Sequence, residues 1–163
     1  MFIFLLTEGK QYWKCNIPGG SMEITGKIIH QLYQTTRIIS TRLNQRLEPC
    51  GIYSSEWTII TTIKEQGAMS QSSLANYLNI EPPAISKSLA NLERKGIIKR
   101  REGSDKREKT VFLTDETLRQ YHHWEDIVRR HRQQILAGLS KEELDQLYGS
   151  LQKICANACQ PER

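Results

Sequence analysis

The chain has 163 residues, with 23 Lys and Arg against 18 Asp and Glu, 38% hydrophobic and 25% charged residues, ten glycines, five prolines and four cysteines. That balance describes one core-forming domain and lies far from collagen-like, disordered or disulfide-stapled chains. No apolar run approaches the roughly 20 residues needed to cross a bilayer; the opening run, Phe2 to Leu6, is far shorter, so a membrane-spanning helix is excluded and no membrane partner is expected.

The positive charge is concentrated. Between Arg94 and Lys109 stand eight basic residues (Arg94, Lys95, Lys99, Arg100, Arg101, Lys106, Arg107, Lys109) and three acidic ones, which leaves fifteen of each sign elsewhere. A basic excess confined to one short segment is the footprint of a polyanion-binding surface, and nucleic acid is the first partner it implies. Read alone, a charged hairpin also has a simpler explanation, a solvated sheet edge kept basic against edge-to-edge pairing.

Residues 1–21 lack the basic start and long apolar core of a secretion signal. They are expected to be a disordered extension, or an upstream stretch read through from an early start codon, ahead of Met22. From Glu23 to Leu47 apolar residues at Ile24, Ile28, Leu32, Ile39, Leu43 and Leu47 mark a long amphipathic helix. Glu48-Pro49-Cys50-Gly51 ends it, and Ser54 or Ser55 is expected to cap a second helix through Lys64, closed by Gly67.

Ser70 is placed to cap a short helix carrying Leu74, Ala75 and Leu78. Asn79-Ile80-Glu81 then turns into a helix opened by Pro82-Pro83, residues suited to a first helical turn. In this helix Ile85, Leu89 and Leu92 share one sector, while Pro83, Lys87, Ala90, Asn91 and Arg94 lie opposite. The pattern spells helix, turn, helix, with one packed face and one free face. Ile97 to Glu102 and Lys109 to Leu113 then read as two strands around the polar, basic tip Gly103 to Glu108, the wing of a winged helix.

Thr114, followed by Asp115 and Glu116, starts a long helix to about Ala137, and Ser140-Lys141-Glu142-Glu143 is a capping box for a last helix whose stripe is Leu144, Leu147, Leu151 and Ile154. The fold class is therefore mostly α with a small β-hairpin, a winged helix-turn-helix with N- and C-terminal dimerisation helices. Residues 51–114 form the DNA-binding region, 22–50 and 115–158 the helical dimerisation region, and 159–163 a tail. So small a central unit cannot cover three apolar stripes, which predicts an isologous homodimer; an intramolecular three-helix bundle is the alternative.

The second helix of a helix-turn-helix presents its first residues to base edges in the major groove. Pro82, Ala84, Ser86, Lys87 and Asn91 occupy it here, with Asn91 suited to an adenine edge and Lys87 to a guanine edge or a phosphate. Arg94 continues their free face, and Ser70 and Ser72 at a helix start suit phosphates. Arg101, Lys106 and Arg107 of the wing would follow the backbone or minor groove, with Asp105 orienting an arginine.

The stretch from Ser70 to Thr114 resembles the MarR family of bacterial transcription regulators. The resemblance is carried by the Leu74-Ala75 pair, Leu89-x-x-Leu92-Glu93-x-Lys95-Gly96, Asp105-x-Arg107 at the wing tip and Leu113-Thr114 after it. Pro49-Cys50-Gly51 followed by Trp57 also matches the family's first junction, and the likeness spans nearly all of Met22 to Ala158. Two positions depart from it: Thr117 stands where a glycine is common, and Cys50 where a plain aliphatic is usual. The resemblance implies a homodimeric repressor on double-stranded DNA with a pseudo-palindromic operator, released by a small lipophilic or phenolic effector bound between the helical and winged parts.

Some relatives sense oxidants, so Cys50, Cys155 and Cys159 are the redox candidates, although Cys50 also reads as a small buried hydrophobe and an intrahelical disulfide between the other two is geometrically poor. No Cys-x-x-Cys pair occurs, and without a secretion signal free thiols and a cytoplasmic address are expected. His122 and His123 diverge on their helix and His30 and His131 are isolated, so no metal is assigned. No phosphate-cradling loop or nucleophile motif is present; no cofactor and no enzyme activity are expected. A winged helix that only holds another protein is the remaining class.

Overall fold

The computed structural model describes residues 3–7, 10–14, 23–102 and 109–160. They fall into two compact units, the chain passing from one to the other between Ile38 and Ile39. In the first, strands β1 (Ile3–Thr7) and β2 (Lys10–Lys14) pair antiparallel, with Ile3 opposite Lys14 and Thr7 opposite Lys10. Ile3 and Phe4 on one run and Tyr12 and Trp13 on the other are types that favour strands. The same unit holds the first part of helix α1 (Ile24–Leu47), along which Ile24, Ile28, Ile29, Tyr33 and Ile38 are exposed.

The second unit takes the rest of α1 and everything after it. A 3-10 turn at Glu48–Cys50 follows, and Gly51 supplies the positive φ of 70° that redirects the chain into α2 (Ser54–Gln66). The cap of α2 is Tyr53, not Ser54 or Ser55. Two side chains take the first N–H groups here: Glu56 Oε2 accepts the Tyr53 N–H at 2.9 Å and Asn44 Oδ1 accepts the Ser54 N–H at 2.7 Å.

Strand β3 (Met69–Ser70), helix α3 (Gln71–Leu78) and helix α4 (Pro82–Arg94) follow, joined by Asn79 in the left-handed region at φ 51°. The wing strands are β4 (Ile98–Glu102) and β5 (Lys109–Leu113), and the three-stranded sheet runs in the order β3-β5-β4. Pairing of Met69 with Val111 and Ser70 with Thr110 ties the helix-turn-helix to the wing.

Helix α5 (Asp115–Ile135) opens on Thr114, whose hydroxyl accepts the Thr117 N–H, and α6 (Lys141–Ala158) opens on the Ser140–Glu143 capping box. Thr117 uses the position where the family commonly has glycine: it is buried, and its hydroxyl donates to the Ile97 carbonyl at 2.8 Å while Thr114 donates to that of Gly96 at 2.9 Å. Those bonds fasten the start of α5 to the root of the wing.

The core gathers Leu43 and Leu47 of α1, Trp57, Ile59, Ile60 and Ile63 of α2, Leu74 of α3, Ile85, Leu89 and Leu92 of α4, Val111 of the wing and Tyr121, Trp124 and Val128 of α5. Helix α6 contributes no buried residue. Its expected stripe leaves Leu147 at 43% and Leu151 at 39% exposure.

Candidate nucleic-acid interface and adjoining cavity

Helix α4 has the two faces that its spacing predicts. Ile85, Leu89 and Leu92 are fully buried, and Pro82, Ala84, Lys87 and Arg94 are exposed above them, with Ser86 half-buried at the edge. Burying three large aliphatic side chains on 13 residues holds the helix firmly, so its open face is a rigid platform. Pro82 at the first position limits the backbone where a donor would be unpaired anyway.

Ser70 and Ser72 are engaged with one another. The Ser70 hydroxyl caps α3 by accepting the Ser73 N–H at 3.1 Å, and it lies 2.8 Å from Ser72 Oγ. Ser72 is exposed and Ser70 half-buried. Arg101 is exposed, with its guanidinium 5.6 Å from the centre of the Phe112 ring, a cation–π contact on the wing. Asp105, Lys106 and Arg107, expected at the wing tip, lie outside the described residues.

Asn91, expected to read a base edge, is bonded to two neighbours within the chain. Its amide nitrogen donates to Glu56 Oε1, and its oxygen accepts from Arg94 Nη2 at 2.6 Å. Both ends of the amide are engaged within the chain, the nitrogen at the buried Glu56 side and the oxygen at the exposed Arg94 side.

The basic stretch is also less uniformly available than its count implies. Lys95 Nζ reaches Glu56 Oε1 and Oε2 at 2.8 and 2.7 Å and the Gly51 carbonyl at 2.8 Å, and it sits 5.0 Å from the Tyr53 ring centre. Arg100 pairs with Glu93, and this contact holds the exposed Glu93 carboxyl below the usual range and raises the guanidinium. Among the described residues of the stretch, ion pairs thus engage Lys95 and Arg100, while Lys99, Arg101 and Lys109 are exposed. Glu56 and Lys95 were missed as a pair because 39 residues separate them; the one sequence signal was a glutamate at the third position of a helix.

Residues of α2, α5 and the start of α6 line an open cleft of about 530 Å³, with Trp57, Tyr121, Val128, Arg132, Leu136 and Leu144 among its walls. Trp57 stacks on Tyr121 with ring centres 5.2 Å apart. The indole N–H is buried without a partner among the described residues, and burial pushes the Tyr121 hydroxyl above its ordinary range. The cavity therefore has an aromatic wall with charged and polar side chains, Glu65, Glu125, Arg129 and Arg132 among them, at its margin.

Of the thiols, Cys50 is half-buried and burial pushes its thiol up, away from the reactive thiolate; Cys155 and Cys159 are exposed on α6 and at its end. No cluster of three or more His, Cys, Asp and Glu side chains that could hold a metal occurs among the described residues. No helix among them is long and apolar enough to cross a membrane.

The sequence profile of the MarR family matches residues 52–109. YwoH of Bacillus subtilis strain 168, an uncharacterized HTH-type transcriptional regulator, is 36% identical over 116 residues, covering 71% of this chain and 85% of its own. Among solved structures, the organohalide-sensing regulator RdhR in its ligand-free form superposes with a TM-score of 0.80 at 17% identity, covering 88% of this chain and 89% of that one. A cysteine-to-serine mutant of MarR from E. coli complexed with operator DNA gives 0.74 at 21% identity, covering 82% and 99%. MepR of S. aureus in a DNA complex gives 0.74 at 24%, covering 79% and 96%. These neighbours show the fold, and the relative with its matching profile shows the lineage. The chain belongs to the MarR family of winged helix-turn-helix, DNA-binding transcriptional regulators, which are not enzymes.

Proposed function

We propose that this chain is a homodimeric repressor that holds a pseudo-palindromic operator with two copies of α4 in successive major grooves, about 34 Å apart. The observation that carries the reading is the open face of α4, Pro82, Ala84, Ser86 and Lys87, standing on three fully buried aliphatic residues. Ser86 and Lys87 read base edges or adjacent phosphates, Ser72, Arg94 and Arg101 meet the backbone, and Lys106 and Arg107, steadied by Asp105, extend the wing along it. The exposed apolar residues of α1 and α6 support a second copy of the chain as the dimer partner. A reader of chromosomal operators works in the bacterial cytoplasm.

Release is assigned to a small lipophilic or phenolic effector in the α2–α5 cavity, whose aromatic wall of Trp57 and Tyr121 suits a planar ring. Filling that slot changes how α2 sits on α5, and with it the separation of the two reading helices. The half-buried, raised Cys50 makes an oxidation sensor the weaker reading, with the exposed Cys155 and Cys159 as its remaining support.

Selection of bound duplexes from a random DNA library, repeated with a phenol panel and with mild peroxide and reductant, tests all of this. An inverted-repeat consensus lost on adding a phenol is the expected result. Loss on oxidation alone would move the sensor to the cysteines, and no enrichment under any condition would leave a winged helix that holds another protein. On the selected duplex, Arg107→Ala is expected to weaken binding and lower the salt slope by about one, whereas Ser86→Ala relaxes base preference.

A further inference from the structure

Glu56 lies at 3% exposure in the first turn of α2, and all its bonds run to one neighbourhood. Oε2 accepts from the Tyr53 N–H at 2.9 Å and Lys95 Nζ at 2.7 Å; Oε1 accepts from Lys95 Nζ at 2.8 Å and from Asn91 Nδ2. A buried carboxylate persists when it is paired and its lone pairs are filled, and here both conditions hold.

The carboxylate also decides which way the Asn91 amide faces. A carboxylate only accepts, so the NH2 end must point at Glu56 and the carbonyl end must point away. Reversing the amide would set oxygen against the carboxylate and NH2 against the guanidinium of Arg94. The outward Oδ1 therefore accepts from Arg94 Nη2 at 2.6 Å. Arg94 is exposed on the open side of α4, one turn beyond Ala90 and two beyond Lys87, and a guanidinium carries five donors, so one bond to Asn91 leaves a face for another acceptor.

We propose that Glu56 and Asn91 are positioning residues that aim the Arg94 guanidinium at a DNA phosphate. The inference rests on the DNA-binding reading and deepens it: the last turn of the recognition helix clamps the backbone through a pre-aimed arginine, while the first turns read bases. The carboxylate contributes by orientation, since its charge is matched by Lys95 and the neutral amide passes on direction to Arg94. An arginine already held in place gives up less freedom on binding, an advantage of about five-fold in affinity for one rotamer-rich side chain.

The test is a double-mutant cycle on a fluorescein-labelled duplex of mixed sequence, followed by anisotropy across a range of salt, because a phosphate contact is independent of base sequence. Arg94→Ala is expected to weaken binding and lower the salt slope by about one. Asn91→Ala is expected to weaken it about five-fold with the thermal midpoint close to that of the parent, and the double variant to bind no worse than Arg94→Ala alone. A parallel cycle with Asn91→Ser guards against loss of folding in the alanine variant. Additive effects of the two substitutions, or an Asn91 effect that persists without Arg94, would overturn the relay while leaving DNA binding intact. A parent protein without salt-dependent binding would instead strike the DNA-binding reading itself.

Discussion

Helices α4 and α6 are both amphipathic, and the chain treats them in opposite ways. Helix α4 spends 13 residues and buries Ile85, Leu89 and Leu92 completely; α6 spends 18 and buries none. The difference separates two jobs for an apolar stripe. In α4 the stripe is an anchor that leaves the other face steady, whereas in α6 it is a surface that the described residues leave uncovered. Exposed runs such as Leu147, Tyr148 and Leu151 mark association sites more often than idle surface.

The comparison breaks most sharply at α6. Charged replacements at Leu147 and Leu151, each to Glu, are expected to yield monomers in sedimentation and to weaken operator binding roughly 10³-fold, because a single reading unit loses the linked second half-site. The fold of each chain should survive, as neither residue is in the core. A dimer that persists would assign the α6 stripe to something other than self-association.

On the α4 side the same kind of change acts on folding. Leu89→Ala is expected to cost about 3 kcal/mol of stability, read as a lowered denaturation midpoint. Lys95→Met comes next: it leaves the buried Glu56 carboxylate without its cation, a loss of about 2 kcal/mol once the partial exposure of Lys95 is discounted. Stability loss in Leu89→Ala without loss of association would confirm that anchor and surface are separate.

A smaller effect concerns acid. His131 of α5 is buried, accepts no partner at Nε2 among the described residues, and is faced by Arg46, Arg42 and Arg132, with the Ile39 carbonyl bonded to its ring. Burial first, then Arg46, holds its imidazole below the ordinary 6.5. The unfolded chain then binds a proton that the folded chain refuses, so stability is full above 6.5 and declines as pH falls from there towards the depressed value. His131→Phe is expected to flatten that part of the stability profile; an unchanged slope would mean that carboxylates alone set it. Smallest of all is peroxide at Cys50, where the raised thiol predicts slow reaction and unaltered DNA binding, measured by thiol labelling beside anisotropy.

Much of the winged part was legible because its signals are local. The sector of Ile85, Leu89 and Leu92, the caps at Ser70, Thr114 and Ser140, and the strands on either side of Gly103 to Glu108 all lie within a few residues of the features they specify. What escaped the sequence depends on distant partners. Tyr53 caps α2 because Asn44, nine positions upstream, takes the next N–H; β3 is two residues long and shows no period; Asn91 has the right type and the right face for base reading, yet Glu56 turns its amide inward. Residue type told which groups can bond, and the fold told which bonds were already made.

Ser70 holds two posts at once: it is the last residue of β3, paired with Thr110 on the wing, and the cap of α3. At the other end of the sheet, Thr114 and Thr117 bolt α5 to Gly96 and Ile97. The wing root is therefore braced from both sides, like a bracket with two screws, and cannot swing by itself. Any signal that loosens the grip on DNA must carry the reading helix and the wing together as one piece, so operators recognised by this protein should tolerate changes beneath the wing far better than a single base pair inserted between their halves.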